Sequence, residues 1–155
     1  MSRISAPAMP QSSVVAALIR IRNALQSVPY DWLAIPLRLA VANVFWSSGT
    51  EKLADWNAAL TLFRDEYRLP VLPPEIAAYM AVSVELSTPF LLLLGFFTRG
   101  AALLLLGMTT VIEVFVYPQA WPTHIQWAAM LLVLLCRGAG KFSVDELIWR
   151  RIRGS

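Results

Sequence analysis

Four stretches of the chain are almost free of polar positions: 32–48, 76–97, 100–117 and 121–136. Each comes near the ~20 residues a helix needs to cross a hydrocarbon core ~30 Å thick. None alternates with period two, and the Leu91–Leu94 and Leu103–Leu106 runs argue against barrel strands. The pattern predicts an all-α fold, a bundle of four transmembrane helices. Punctuation sets the limits. Gly95-Phe96-Phe97-Thr98-Arg99-Gly100 reads as a tight turn, with Thr98 capping the third span. Pro118 and Pro122 bracket the turn before the fourth span, and Gly138 and Gly140 end it. Ser143-Val144-Asp145-Glu146 fits a capping box that opens a short basic C-terminal helix. Ahead of the first span, Val14, Leu18, Ile21, Leu25 and Val28 recur at helical spacing, away from Arg20, Arg22, Asn23 and Gln26. That is an N-terminal amphipathic helix suited to the membrane interface. Between the first two spans Trp56, Leu60, Phe63 and Tyr67 also fall on one helical stripe, which predicts a helix resting on the outer membrane surface.

The organisation that follows has three parts. Residues 1–31 form an arm, 32–136 a membrane domain with an outer loop at 49–75, and 137–155 a basic tail. Composition changes the picture only by making lipid necessary. Hydrophobic residues are 57% and charged residues 15%, with a mean hydropathy of +0.59. Soluble domains average roughly 45–50% and about 25%. The net charge of +3 does not point to nucleic acid, because the basic residues sit at helix ends rather than on one face. Arg3, Arg20, Arg22, Arg99, Arg137, Lys141, Arg150, Arg151 and Arg153 fall on one side, against Lys52, Arg64 and Arg68 on the other. By the positive-inside rule both termini are expected in the cytoplasm of a bacterial cell, with the protein multi-pass in the inner membrane. The first thirteen residues lack an apolar core and are not expected to act as a cleaved signal.

Ionisable groups inside such helices are costly, roughly +2.5–3.5 kcal/mol for Arg or Asp at the helix centre. Arg38, Glu85, Glu113 and His124 therefore need an account. Counting ~1.5 Å per residue puts Arg38 ~10 Å deep and Glu85 ~15 Å deep, within reach of an ion pair that either clamps two helices or serves chemistry. Glu113, His124 and Lys52 lie near the outer end and are either interfacial or gathered in an outward-opening pocket. Ala34, Arg38, Phe45, Gly49 and Lys52 share one face of the first helix, whose small residues admit a close neighbour. Pro89 removes the donor that would bond the Glu85 carbonyl. That carbonyl either receives a polar ligand or is closed by Thr88 or a water. Arg38, Phe45, Glu85 and Pro89 thus make a candidate quinone pocket. The single Cys136 excludes an internal disulfide, one histidine cannot supply bis-histidine haem ligation, and no metal site is expected. No nucleotide-binding or zinc-hydrolase motif is present.

Three ordered motifs resemble the DoxX family of small four-helix membrane proteins. They are Gly49-Thr50-Glu51-Lys52-Leu53 after the first span, Glu85 followed by Leu94-Gly95-Phe96-Phe97-Thr98-Arg99, and Gly138-Ala139-Gly140-Lys141-Phe142-Ser143-Val144-Asp145. The resemblance runs over about 32–147 and implies functional weight for Lys52, Glu85 and Arg99. It also implies redox associations. Some members look like the membrane subunit of a thiosulfate:quinone oxidoreductase, others accompany superoxide dismutase and thiol-oxidant defence. Glu113 and His124 match no family motif and rest on the physical argument.

The expectation is a redox- or stress-associated membrane subunit or scaffold that contacts quinone. It would not be an enzyme by itself, but a subunit of a quinone-linked oxidoreductase fed by a soluble redox partner and able to form homo-oligomers. The alternatives are a carrier or channel for protons or a small solute, using Arg38, Glu85 and Glu113, and a stand-alone membrane enzyme.

Overall fold

The computed structural model describes residues 13–70 and 72–154. Their regular structure is all helical, with no strand among the described residues. Seven α-helices follow in order: α1 Ser13–Gln26, α2 Tyr30–Ala54, α3 Trp56–Thr61, α4 Pro74–Leu94, α5 Thr98–Val111, α6 Trp121–Arg137 and α7 Val144–Arg153. Two π-helical turns extend the scheme. Leu62–Tyr67 continues α3, and Ile112–Val116 continues α5.

Helices α2, α4, α5 and α6 form the body. α2 packs chiefly on α4, and α5 on α6, while α4 and α5 touch less extensively. The core lies between them and is built from Val41, Ala42 and Phe45 of α2, Leu92 of α4, Leu105 of α5, and Leu131 and Leu134 of α6. Outside this core, large apolar side chains such as Trp46, Phe90, Leu93, Leu103 and Leu132 point outward. An apolar girdle of that extent is suited to lipid. Two of the four expected spans, Pro74–Leu94 and Thr98–Val116, are long and apolar enough to cross a membrane, with mean hydropathies of 1.6 and 1.7. α2 is longer than the span expected for it and gains Asp31, Glu51 and Lys52 inside its limits. α6 has 17 residues.

The helix ends show where local reading succeeds and where it does not. Ser143 caps α7, its hydroxyl accepting from the Glu146 N–H, which is the first half of the expected capping box. Gly95, at φ 63°, ends α4 with the Gly95 and Phe96 N–H groups donating back to Leu92 and Leu91. A left-handed glycine is the usual solution for a paired ending of this kind. Thr98, expected to cap α5, does not. The Asp145 carboxylate does so from 47 residues away, accepting from Phe97 N at 2.7 Å and Thr98 N at 2.9 Å. A carboxylate at a helix N-terminus satisfies free N–H groups and meets the positive end of the dipole, and a threonine hydroxyl offers only the first.

The stripe of the outer loop also lands differently. Phe63 is buried against Ala77 and Ala78 of α4, with Trp56, Leu60 and Tyr67 packed around it. The segment folds onto the protein because α4 opens with small residues, Ala77 and Ala78, that admit the Phe63 ring. α1, by contrast, buries nothing against the rest of the chain.

Candidate functional site

The site is set by how α2 meets α4. Gly49 lies directly against Glu85 and Leu86, where an added Cβ would come within 2.9 Å of Glu85 Cβ. That close approach fixes the register of the antiparallel pair and brings the next turn of α2 over the carboxylate. Lys52 Nζ donates to Glu85 Oε1 at 2.8 Å and to Oε2 at 2.9 Å. Ser48, one turn below Lys52, accepts from Nζ at 2.6 Å and donates to Glu85 Oε1 at 3.1 Å. The Glu85 side chain is 2% exposed and that of Lys52 12%. A buried ion pair is tolerated when each partner is bonded this fully.

The expected Arg38–Glu85 pair is therefore replaced by Lys52–Glu85. The register explains it. Gly49 faces Glu85, and Arg38, eleven residues and ~16 Å earlier on α2, lies at the other end of α4 beside Gly95. The depth count failed because α4 ends at Leu94 and α2 continues to Ala54, which carries Lys52 into the bundle. Arg38 donates to the Phe142 carbonyl at 3.0 Å. Its Nε and Nη1 have no hydrogen-bond partner among the described residues.

A second pair forms on the far wall. His124, near the start of α6, holds Glu113 at 2.6 Å through Nδ1. The His124 side chain is 7% exposed and that of Glu113 32%. The His124 ring leans on Trp127, which meets Phe45 edge-on at 5.8 Å between centroids. Lys52, Glu85, His124, Phe45 and Trp127 all line one cavity of ≈ 910 Å³. Tyr67 and Tyr117 line it too, their rings in contact across the two π-helical turns, and the Tyr117 hydroxyl bonds Glu66. Burial pushes the Tyr67 phenol above its usual range. π-helical turns often mark functional sites, since the extra residue re-aims side chains. The rest of the lining is apolar.

The expected quinone pocket of Arg38, Phe45, Glu85 and Pro89 does not assemble as a unit. Phe45 and Glu85 line the large cavity, Pro89 lines a separate shallow groove with Trp46 and Phe90, and Arg38 lines neither. Pro89, one turn past Glu85, lies against α2, where Leu39, Ala42, Asn43 and Trp46 complete the groove. Thr88, expected as a partner for the freed Glu85 carbonyl, bonds Val84 O at 2.7 Å instead. Arg99 is also at the opposite end, donating to Cys136 O at 3.3 Å. There Tyr30 donates to Gly138 O, Lys141 N to Asp31, and Asp145 N to Gly95 O. The two glycine-rich motifs thus build one structural knot, while Gly49, Lys52 and Glu85 build the cavity wall. Among the described residues no group of His, Cys, Asp or Glu could hold a metal ion.

Sequence reasoning missed Ser48, Tyr67, Tyr117 and Trp127 as cavity residues. Ser48 was detectable, four residues before Lys52 on the same face. The tyrosines were not, because their meeting depends on two π-helical turns.

Residues 33–118 match the family model described as DoxX. The match includes Lys52, Glu85, Arg99 and Glu113 and stops short of His124. A protein of Haemophilus influenzae, named only as uncharacterised, is 32% identical over 127 residues, covering 72% of this chain and 80% of its own length. No solved structure matches the chain.

Proposed function

The chain belongs to the DoxX family of membrane proteins, and from that premise we propose that it is the membrane subunit of a redox or stress system whose cavity receives a quinone head group. In this reading α2, α4, α5 and α6 all span the bacterial inner membrane, both termini are cytoplasmic, and a soluble oxidoreductase partner supplies electrons. The observation that carries it is the Lys52–Ser48–Glu85 triad on the wall of a largely apolar cavity. The volume lies within the ~300–1,000 Å³ typical of small-molecule sites. Lys52 and Ser48 hold the Glu85 carboxyl on the cavity wall, where it can exchange a proton. His124, coupled to Glu113, supplies a second acid–base group on the far wall. A quinone taking two electrons from the partner takes up two protons, one at each oxygen, and two separated proton-exchanging pairs meet that need. Phe45 and Trp127 provide flat apolar surface between them.

The test is Glu85→Gln, with protein level followed beside activity. A variant that accumulates normally and loses at least ten-fold of partner-dependent quinone reduction supports the reading. Full activity at normal level removes Glu85 from it. The same buried pair would also suit a proton or small-solute carrier. Partner-independent fluxes in proteoliposomes, abolished by Glu85→Gln, would move the assignment there.

A further inference from the structure

The cavity is not closed on all sides. Its outer end holds the polar groups, Lys52, Glu85, His124, Tyr67 and Tyr117, and below them it continues as an apolar trough. The trough follows Gly107, Leu104, Leu103 and Gly100 of α5 down to Phe97 just ahead of it, while Ala81 and Val84 of α4 line the cavity at and above the height of Glu85. Phe97, Leu103 and Leu104 are 63%, 58% and 51% exposed, so this wall faces the apolar girdle. Although adjacent in the chain, α4 and α5 touch less than α2 and α4 or α5 and α6 do. Gly107 stands where the trough meets the polar end. Nine residues separate Glu85 from Leu94 and nine separate Gly107 from Thr98, so the two lie at about the same height on antiparallel helices. A Cβ at Gly107 would meet no neighbouring atom within 4 Å outside its own helix. This glycine therefore leaves a doorway rather than permitting a close packing contact. From Gly107 to Phe97 the trough runs ~15 Å.

We propose that the apolar trough along α5 is a tail subsite and side entrance, taking a long-chain, neutral-headed amphipath directly from the bilayer, with Gly107 as its threshold. The proposal rests on the head-group reading above and adds the route and the ligand's second half. Charge selects the head. Lys52 is neutralised by Glu85 and His124 is paired with Glu113, so the polar end presents no free cation to hold a phosphate. Neutral carbonyl or hydroxyl oxygens are the groups it can bond. Shape selects the tail. Lipid chains are as apolar as leucine, so the trough gains little by hydrophobicity. Its effect is steric, and blocking it should exclude tailed ligands and spare tailless ones.

The test uses the full chain in lipid nanodiscs, with a decyl-tailed dimethoxybenzoquinone and the same ring without the tail, affinities being referred to the concentration in the bilayer. Two variants narrow the trough, Gly107→Trp at the threshold and Leu104→Trp below it. The expected result is at least ten-fold weaker binding of the tailed probe to both, with the tailless probe within two-fold of wild type on Leu104→Trp. Tailed-probe binding within two-fold of wild type in both variants overturns the subsite and leaves the head-group reading standing. Equal loss of both probes in Leu104→Trp, with the melting temperature retained, also overturns it. Wild-type protein that binds neither probe removes the head-group reading and the subsite with it.

Discussion

Lys52 and Glu85 carry opposite charges in a place where either alone would be costly. Removing one partner of a buried pair costs on the order of 3–5 kcal/mol, because the other stays desolvated. Glu85→Gln should therefore lower the melting temperature in detergent sharply, and Lys52→Gln likewise. The double variant should recover part of the loss, giving a coupling energy of at least ~1 kcal/mol, above the usual additivity error of about 0.3–0.5. The same cycle with Arg38→Gln in place of Lys52→Gln should be additive, since Arg38 bonds Phe142 O at the other end of the bundle. Coupling to Arg38 and none to Lys52 would reverse the assignment. At this scale the identities were legible in the sequence, since a Glu within an apolar run demands a partner. The choice of partner was not. Two cations on one face of α2 are equally plausible until the contact at Gly49 sets the register.

At the scale of elements, the most informative join is between α7 and the start of α5. Asp145 lies in the first turn of its own helix, where its charge already suits the dipole, and its carboxylate also caps α5. Asp145→Ala leaves the Phe97 and Thr98 N–H groups without that acceptor. Loss of such a cap costs about 0.5–2 kcal/mol. The expected outcome is a lower melting temperature with ligand binding in the cavity unchanged, because the knot at Gly95, Gly138 and Gly140 is at the far end from Lys52. If Asp145→Ala abolishes binding while stability holds, the separation of knot and cavity is wrong. The long helices were visible from apolar runs and their ends from glycine and proline. The π-helical turns Leu62–Tyr67 and Ile112–Val116 were not, because an i+5 turn leaves no local signature and is selected by what its side chains meet.

For the whole molecule, the charge asymmetry of nine basic residues against three makes orientation testable. Reporter fusions at the C-terminus and within residues 49–75 should report opposite sides of the membrane, with the C-terminal fusion cytoplasmic. Both reporters on one side would remove the four-span arrangement, and with it the placing of Lys52 and His124 at the outer end.

The sequence by itself determined that the chain is helical and lipid-solvated, which follows from the length and spacing of its apolar runs. It also carried the family motifs and, as candidates, Phe45, Lys52, Glu85 and His124 of the cavity lining. Helix geometry is local, so period and punctuation suffice for that much. Only the tertiary structure decided that Lys52 pairs with Glu85, that Asp145 caps α5, that Phe63 docks on α4, and that Glu113 reaches His124. Each depends on how separate helices are set against one another. A shift of one turn, ~5.4 Å, exchanges one ion-pair partner for another without altering any local pattern. The trough along α5 lies further still from the sequence. It is open space beside one face of α5, marked on the chain only by a glycine at 107 that reads like any other small residue in an apolar helix.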